Sequence, residues 1–136
     1  MAITIGSAAL SDEAFLRAFG TGELPTSSFR HGDHLRLAWL RLDALETDDA
    51  ITQVRRDIER FAISKGAGHI YHVTITTAWV RLLATHSEPT FDEFIAANQH
   101  RLTHHLLHRF WTPDLLSSQK ARSAWVEPDR QALPTC

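Results

Sequence analysis

The chain has 136 residues, of which 43% are hydrophobic and 22% are charged, and its formal net charge is −2 at pH 7. These values are typical of one globular domain with a substantial core. The charge provides no basic surface, so we expect no nucleic-acid partner. No apolar run approaches the ~18 residues of a membrane span, and residues 1–5 do not resemble a signal peptide.

Cysteine and histidine usage narrows the class of protein further. The single cysteine, Cys136, excludes an internal disulfide and a thiolate zinc cluster, so we expect the reducing cytoplasm. The chain has nine histidines, an unusually high number. They are scattered along the sequence rather than gathered at one end as in a tag, so they belong to the protein itself.

The first predicted helix follows Ser11, which is a candidate N-cap. Phe15 and Phe19 share one apolar stripe of this helix, and Gly20 is expected to end it. Residues 21–28 contain glycine, proline and serine and are predicted to be a loop.

A second helix is predicted from apolar residues that recur three and four positions apart, from Leu35 to Leu45. It begins near Arg30, or at Asp33 if that residue is the cap. A third helix opens at Thr47, carries acidic residues in its first turn, where they suit the helix dipole, and ends at Gly66.

The segment 70–77 has two interpretations. Its β-branched residues alternate as in a strand, but the apolar spacing continues into a clear helix that ends near His86. Because helices flank the segment and no second strand is available to pair with it, we predict a helix.

The last third of the chain carries clear helix-start signals. Thr90 and Glu93 form a capping box, and Thr112 precedes a proline at a first helical position. Apolar residues from Leu102 to Phe110 predict a helix between these two starts. Residues 127–136 are predicted to be an extended tail. The fold should therefore be all-α, with residues 1–136 in one compact orthogonal bundle of about six helices.

Two patches place histidine pairs on otherwise apolar helix faces. His31 and His34 are three residues apart, so in a helix they share a face, and Leu35 lies on it too. Imidazole on an inward face needs a metal, a carboxylate, a carbonyl or a substrate as a partner. The alternative for His31 is a structural cap, in which it bonds to the preceding loop and Asp33 holds the helix start; for His34 we favour a site.

The second patch places His72 on a stripe with Thr76 and Trp79. Glycines precede it together with His69 and Tyr71, so this backbone can approach a ligand closely. The alternative for His72 is a core histidine that is hydrogen-bonded to a neighbouring helix, whereas His69 reads as a loop residue.

Three of these histidines could form a metal centre with open positions: His31, His34 and His72. Neutral imidazole suits zinc, copper or iron, so one such ion is the expected cofactor, although the spacing matches no established metal motif. In a metal-free version, His34 or His72 is the catalytic base, with Tyr71 or Asp33 beside it.

The same hypothesis assigns ligand-binding roles to Thr76, Trp39 and Trp79. Thr76 would orient the ligand, and the two indoles would wall the cavity. Because His34 and His72 lie on the apolar stripes of their own segments, we expect their imidazoles to converge on one cavity. His100, His104 and His108 would form a row along one helix, away from this cavity, and a solvated face is the favoured interpretation for them.

Both patches also resemble the motifs of an uncharacterised family of small bacterial proteins. Its members show F-x-H-x-x-H-L-x-x-A-W, here Phe29 to Trp39, and G-x-x-Y-H-x-T-I-T-x-A-W, here Gly68 to Trp79. A third motif, A-R-x-x-W-x-x-P-D, corresponds to Ala121 to Asp129. The chain departs from the family at Val73, where an acidic residue is expected, and at Phe110-Trp111, where tyrosines are usual.

The resemblance spans roughly residues 29–129. It implies that six polar residues occupy motif positions: His31, His34, Tyr71, His72, Thr74 and Thr76. It implies no reaction.

Two function classes therefore stand at this point. One is a small enzyme or metalloprotein that acts on a small organic molecule through the histidine site. The other is a non-catalytic helical module that binds a small ligand or a protein, with structural or pH-sensing histidines.

Overall fold

The computed structural model describes residue 3 and residues 5–134, apart from the side chain of His104. Within these residues the chain forms α-helices and no strand, which confirms the all-α prediction. The seven α-helices are α1 Asp12–Thr21, α2 His31–Ala44, α3 Thr47–Ser64, α4 Val73–Leu83, α5 Phe91–Ala97, α6 Pro113–Leu116 and α7 Gln119–Ser123. Three 3₁₀ helices lie between them, at Thr26–Ser28, Gly68–Ile70 and His104–Arg109.

The capping residues behave as the sequence predicts at three helix starts. The side chain of Ser11 accepts a hydrogen bond from the amide of Ala14, and that of Thr90 accepts one from the amide of Glu93. The hydroxyl of Thr112 likewise accepts a hydrogen bond from the backbone of α6. Each of these bonds satisfies an amide that a helix start leaves without an intrahelical acceptor.

Several predicted boundaries need correction. The first helix passes through Gly20 and ends at Thr21, and its C-cap is Gly22, whose φ of 78° is the left-handed value that glycine adopts without strain. The helix predicted from Leu102 to Phe110 is wrong: turns precede a 3₁₀ helix there. Short α7 was not predicted, although the side chain of Ser118 caps it by accepting from the amide of Ala121.

Helix α4 occupies the centre of the fold. Nine of its eleven residues are buried, and it packs against α2, α3 and α7. Its buried positions are apolar residues and threonines, and Arg81 is exposed. The segment 70–77 is therefore a 3₁₀ turn followed by helix, and its β-branched residues pack between neighbouring helices rather than in a sheet. No helix within the described residues has the length and apolar character needed to cross a membrane.

The start of α2 holds the N-terminal segment through one buried carboxylate. Asp33, the third residue of α2, is fully buried and accepts hydrogen bonds from the amides of Gly6 at 2.6 Å, Ser7 at 2.8 Å and Arg30 at 2.8 Å. It also accepts one from the hydroxyl of Ser7. Arg36, one turn later, donates to the carbonyls of Ser7 and Leu10. Helix α2 thus begins at His31. Its N-cap residue is Arg30, whose backbone amide donates to the side chain of Asp33 in the first turn.

The C-terminal segment is held by a second set of polar contacts. The hydroxyl of Thr74 donates to the carbonyl of Ala124 and accepts from the amide of Val126, and the indole of Trp111 donates to the carbonyl of Val126. Asp129 accepts from the amide and hydroxyl of Thr112, and these bonds hold its pKa below the usual value. Residues 124–134 form no helix and no strand, and residues 135–136, with Cys136, lie outside the described residues.

We expect Asp33→Asn to lower the free energy of unfolding by roughly 2–4 kcal/mol, because buried donors lose their acceptor. Urea denaturation followed by circular dichroism measures this change. Asp49→Asn, at an exposed carboxylate in the first turn of α3, should change stability by about 0.5 kcal/mol or less and is the control. Equal effects of the two substitutions would contradict the anchoring role of Asp33.

Candidate functional site

His31 connects the start of α2 to a distant part of the chain. Its Nε2 lies 2.8 Å from the carbonyl oxygen of Leu102, 71 residues away. A carbonyl only accepts, so Nε2 carries the proton and donates it. The imidazole also meets the ring of Trp79 edge-on, with centroids 4.7 Å apart. His31 therefore connects α2 to the segment before the last 3₁₀ helix, rather than to the loop that precedes α2.

His72 uses both ring nitrogens for backbone contacts. Its Nδ1 accepts a hydrogen bond from the amide of Ile75 at 3.1 Å, which makes it the N-cap of α4. Its Nε2 donates to the carbonyl of Leu116 at 2.7 Å. Burial is the main cause that lowers the pKa of His72; the positive charge of Arg122 acts in the same direction, and the bond to Leu116 opposes it. The neutral imidazole is thus the form that this environment selects.

The described contacts do not bring His72 together with His31. His31 contacts Trp79 and Trp39 contacts His86, so α2 and α4 lie side by side and run in the same direction. His72 precedes Trp79 by seven residues, which at ~1.5 Å per residue is roughly 10 Å along the helix. His72 therefore lies about two turns from the level of His31.

His34 comes one turn after His31 and is half-buried in α2. It thus lies still further along α2 from the level of His72. Within the part of the chain that the structure describes, no three histidine, cysteine, aspartate or glutamate side chains are grouped to hold a metal ion. The metal centre of His31, His34 and His72 stays a prediction.

Tyr71 and Thr76 lie in different environments. The hydroxyl of half-buried Tyr71 lies near Arg55 of α3; burial raises the pKa of the phenol, and Arg55 partly opposes this effect. Thr76 is buried within α4. Tyr71 thus faces α3, where Glu59 is also close, and the described contacts do not connect it to the histidine pair of α2.

The two tryptophans predicted to wall a cavity differ in exposure. Trp79 is fully buried, and its indole N–H makes no hydrogen bond within the described residues. Trp39 is only half-buried and belongs to an aromatic cluster with His86 at 4.1 Å, Phe94 at 5.4 Å and Phe91 at 5.8 Å between ring centroids.

Trp39 lines an open groove of about 580 Å³, which we name the Trp39 groove. The N-terminal segment, the start of α1, α2 and the start of α5 form its walls, to which Leu10, Arg36, Trp39, Asp43, Phe91 and Asp92 contribute. A second groove, of about 620 Å³, lies between the C-terminal segment and the ends of α3 and α4. Among the residues predicted for the site, Trp39 is the one that lines either of these two grooves.

The residues that form the other walls of the Trp39 groove were not predicted from the sequence. Asp43 follows Trp39 by four residues in the same helix, a spacing that puts both on one face and could have indicated a shared site. Asp92 has a local explanation as an acidic residue in the first turn of α5. That α5 meets α2 here depends on tertiary packing, for which no local signal exists.

The predicted histidine row is also corrected. His100 lies in a turn and His108 in a 3₁₀ helix, so they do not share one α-helix. A 3₁₀ helix repeats every three residues, which places His105 and His108 on one face with ring centroids 6.0 Å apart. The side chain of His104 lies outside the described part of the chain.

Comparisons with protein-family models, with curated proteins and with solved structures each find no match for this chain. The resemblance to the bacterial family therefore stays a prediction, and it is based on the motif residues alone.

The lowered pKa of His72 predicts an acid-side loss of stability. Below pH ~6.5 the unfolded chain takes up a proton at His72 more readily than the folded chain, so the free energy of unfolding falls as the pH falls through this region. A proton on Nδ1 would also break the hydrogen bond from Ile75. His72→Asn should be less stable by about 1–3 kcal/mol and should show a flatter pH dependence between pH 6.5 and 5.

Urea denaturation at several pH values measures both effects. His69→Asn, at an exposed histidine three residues earlier, is the matched control and should keep the slope of the unmodified protein. If His72→Asn kept that slope as well, the titration of His72 would not be its source.

Proposed function

We propose that the protein is a non-catalytic helical module that binds a small organic molecule in the Trp39 groove. The observation that carries this proposal is that Trp39 lines an open groove, whereas the ring nitrogens of His72 are both committed to backbone groups. The proposal places the module in the cytoplasm of a bacterium, with support from the low cysteine content and from the family resemblance.

The size and lining of the groove support a small ligand. Small-molecule sites usually occupy about 300–1,000 Å³ and combine apolar or aromatic walls with a few polar groups. The Trp39 groove, at about 580 Å³, lies within this range. Its apolar surface includes Leu10, Trp39 and Phe91, and its polar groups include three aspartates, one arginine and two hydroxyl residues.

The backbone contacts support structural roles for two of the histidines. His31 and His72 reach carbonyls that are 71 and 44 residues away along the chain. Buried carbonyls need donors, and these two imidazoles supply them. A metal ligand must instead direct a ring nitrogen at the ion, and both nitrogens of His72 are occupied.

Filling the groove tests the binding site without disturbing the core. Ala8 is exposed and lines the groove, so we expect Ala8→Trp to abolish binding of small organic fragments while the melting temperature stays within a few degrees. Chemical shifts of the ¹⁵N-labelled protein, recorded against a fragment library, should map binding to Leu10, Trp39 and Phe91. Ala9→Trp, at the exposed neighbouring residue, is the control and should keep the binding.

Fragments that shift residues around Trp79 and leave the groove unchanged would contradict the proposal. So would fragments that bind the groove equally in the Ala8→Trp variant. A library that shows no binding anywhere would also overturn it.

One observation favours a second candidate, the small enzyme or metalloprotein with its site at the start of α2. The buried indole N–H of Trp79 makes no hydrogen bond within the described residues, and its ring contacts His31. A buried donor of this kind is often satisfied by a water molecule or a ligand. In this candidate, His31 and His34 face the ligand, and zinc, copper or iron would be the cofactor.

Metal analysis separates the two candidates. The binding module predicts no stoichiometric metal in untagged protein that is expressed in medium with added zinc, copper and iron, as measured by mass spectrometry. One ion per chain, lost in His34→Asn and retained in His69→Asn, would overturn the binding module in favour of the metalloprotein.

A further inference from the structure

We propose that the ligand of the Trp39 groove is an organic cation such as a quaternary ammonium compound. This inference rests on the proposed function, because it names the chemical class that the same groove would take. Three properties of the groove carry it: an aromatic wall, an excess of negative charge, and the origin of that charge on the two helices that supply the aromatic residues, α2 and α5.

The aromatic wall is formed by Trp39 and Phe91, whose ring centroids lie 5.8 Å apart. Aromatic faces carry negative electrostatic potential and attract cations, and tryptophan does so most strongly. Trp39 is half-buried, so part of its surface remains accessible from the groove. Phe94 and His86 pack against Trp39 and fix its position.

The charges of the groove leave a negative excess. Arg36 is the cationic residue of its lining, but it pairs with Asp12 at 2.9 Å and donates to the carbonyls of Ser7 and Leu10. The side chain of Arg36 is 9% exposed, so its charge is largely committed to these partners. Two carboxylates of the lining remain, Asp43 and Asp92.

Asp43 and Asp92 are exposed, and neither forms an ion pair within the residues that the structure describes. Asp43 belongs to α2, like Trp39, and Asp92 follows Phe91 in the first turn of α5. Each aromatic residue thus has a carboxylate on its own helix. Aromatic faces with adjacent carboxylates suit a cation that has an apolar surface, and a quaternary ammonium group is such a cation.

The probe is choline, and its comparison compound is 3,3-dimethyl-1-butanol, in which a neutral carbon replaces the quaternary nitrogen. Both are titrated into ¹⁵N-labelled full-length protein at pH 8 and low salt, where ordinary histidines are neutral and surface charges are weakly screened. The readout is the indole resonance of Trp39, which Trp39→Phe identifies among the four tryptophans of the chain. We expect choline to bind at least tenfold more tightly than the alcohol.

A charge-matched pair of variants tests the carboxylates. Asp43→Asn with Asp92→Asn should reduce the affinity for choline at least fivefold and leave the affinity for the alcohol unchanged. Asp49→Asn with Asp114→Asn removes the same net charge from exposed first-turn positions outside the groove, and should keep the preference for choline. Melting temperatures of both double variants show whether either change acts through unfolding.

The failure of this inference is distinguishable from the failure of the proposed function. If the alcohol shifts Trp39 as strongly as choline does, or if neutral fragments bind the groove and choline does not, the cation preference is wrong and the groove remains a binding site. If the preference disappears equally in both double variants, net charge rather than the groove carboxylates causes it, and the inference is overturned. If neither probe nor any fragment shifts Trp39, both proposals fall.

Discussion

The buried start of α4 is the constraint on which the rest of the structure depends. The first amides of a helix have no intrahelical acceptor, and in the core they cannot use water as a hydrogen-bond partner instead. His72 solves this problem with one side chain. Its Nδ1 accepts from the first turn, while its Nε2 reaches the carbonyl of Leu116 and fixes α6 against the same end. Thr74, two residues later, binds the backbone at Ala124 and Val126. The polar residues of this one turn thereby position much of the C-terminal part of the chain.

The start of α2 follows the same principle with different side chains. Asp33 collects amides from the N-terminal segment, and His31 reaches the carbonyl of Leu102. In sequence, histidine and aspartate at close spacing indicate catalysis, because these residues titrate and bind metals. In a small helical domain they also supply the donors and acceptors that buried backbone groups require. The contacts of His31 and His72 are of this second kind, and this is why the proposed ligand site lies at an aromatic groove instead.

The shape of that groove depends on the buried polar network. The N-terminal segment forms one wall, and it is held there by Asp33 and Arg36. Arg36 therefore has two roles: its guanidinium anchors Ser7 and Leu10, and its pairing with Asp12 removes the positive charge that would repel a cation. Asp43 and Asp92 line one groove only because the aromatic residues of α5 pack against Trp39 of α2. The contacts that anchor the N-terminal segment therefore also determine the shape and the charge of the Trp39 groove.

The sequence by itself determined the all-α class, most of the longer helices and three of the caps, because these depend on contacts within one or two turns. The end of the first helix at Gly20 and the helix from Leu102 to Phe110 were predicted wrongly. Competing local signals meet at these places, and a turn and a helix differ there by few interactions. It located the histidine patches, but it did not determine what the side chains contact. Leu102 lies 71 residues from His31, and Leu116 lies 44 residues from His72. Only the tertiary structure decided these partners and the walls of the Trp39 groove, because they arise where distant segments pack together and no local pattern encodes that packing.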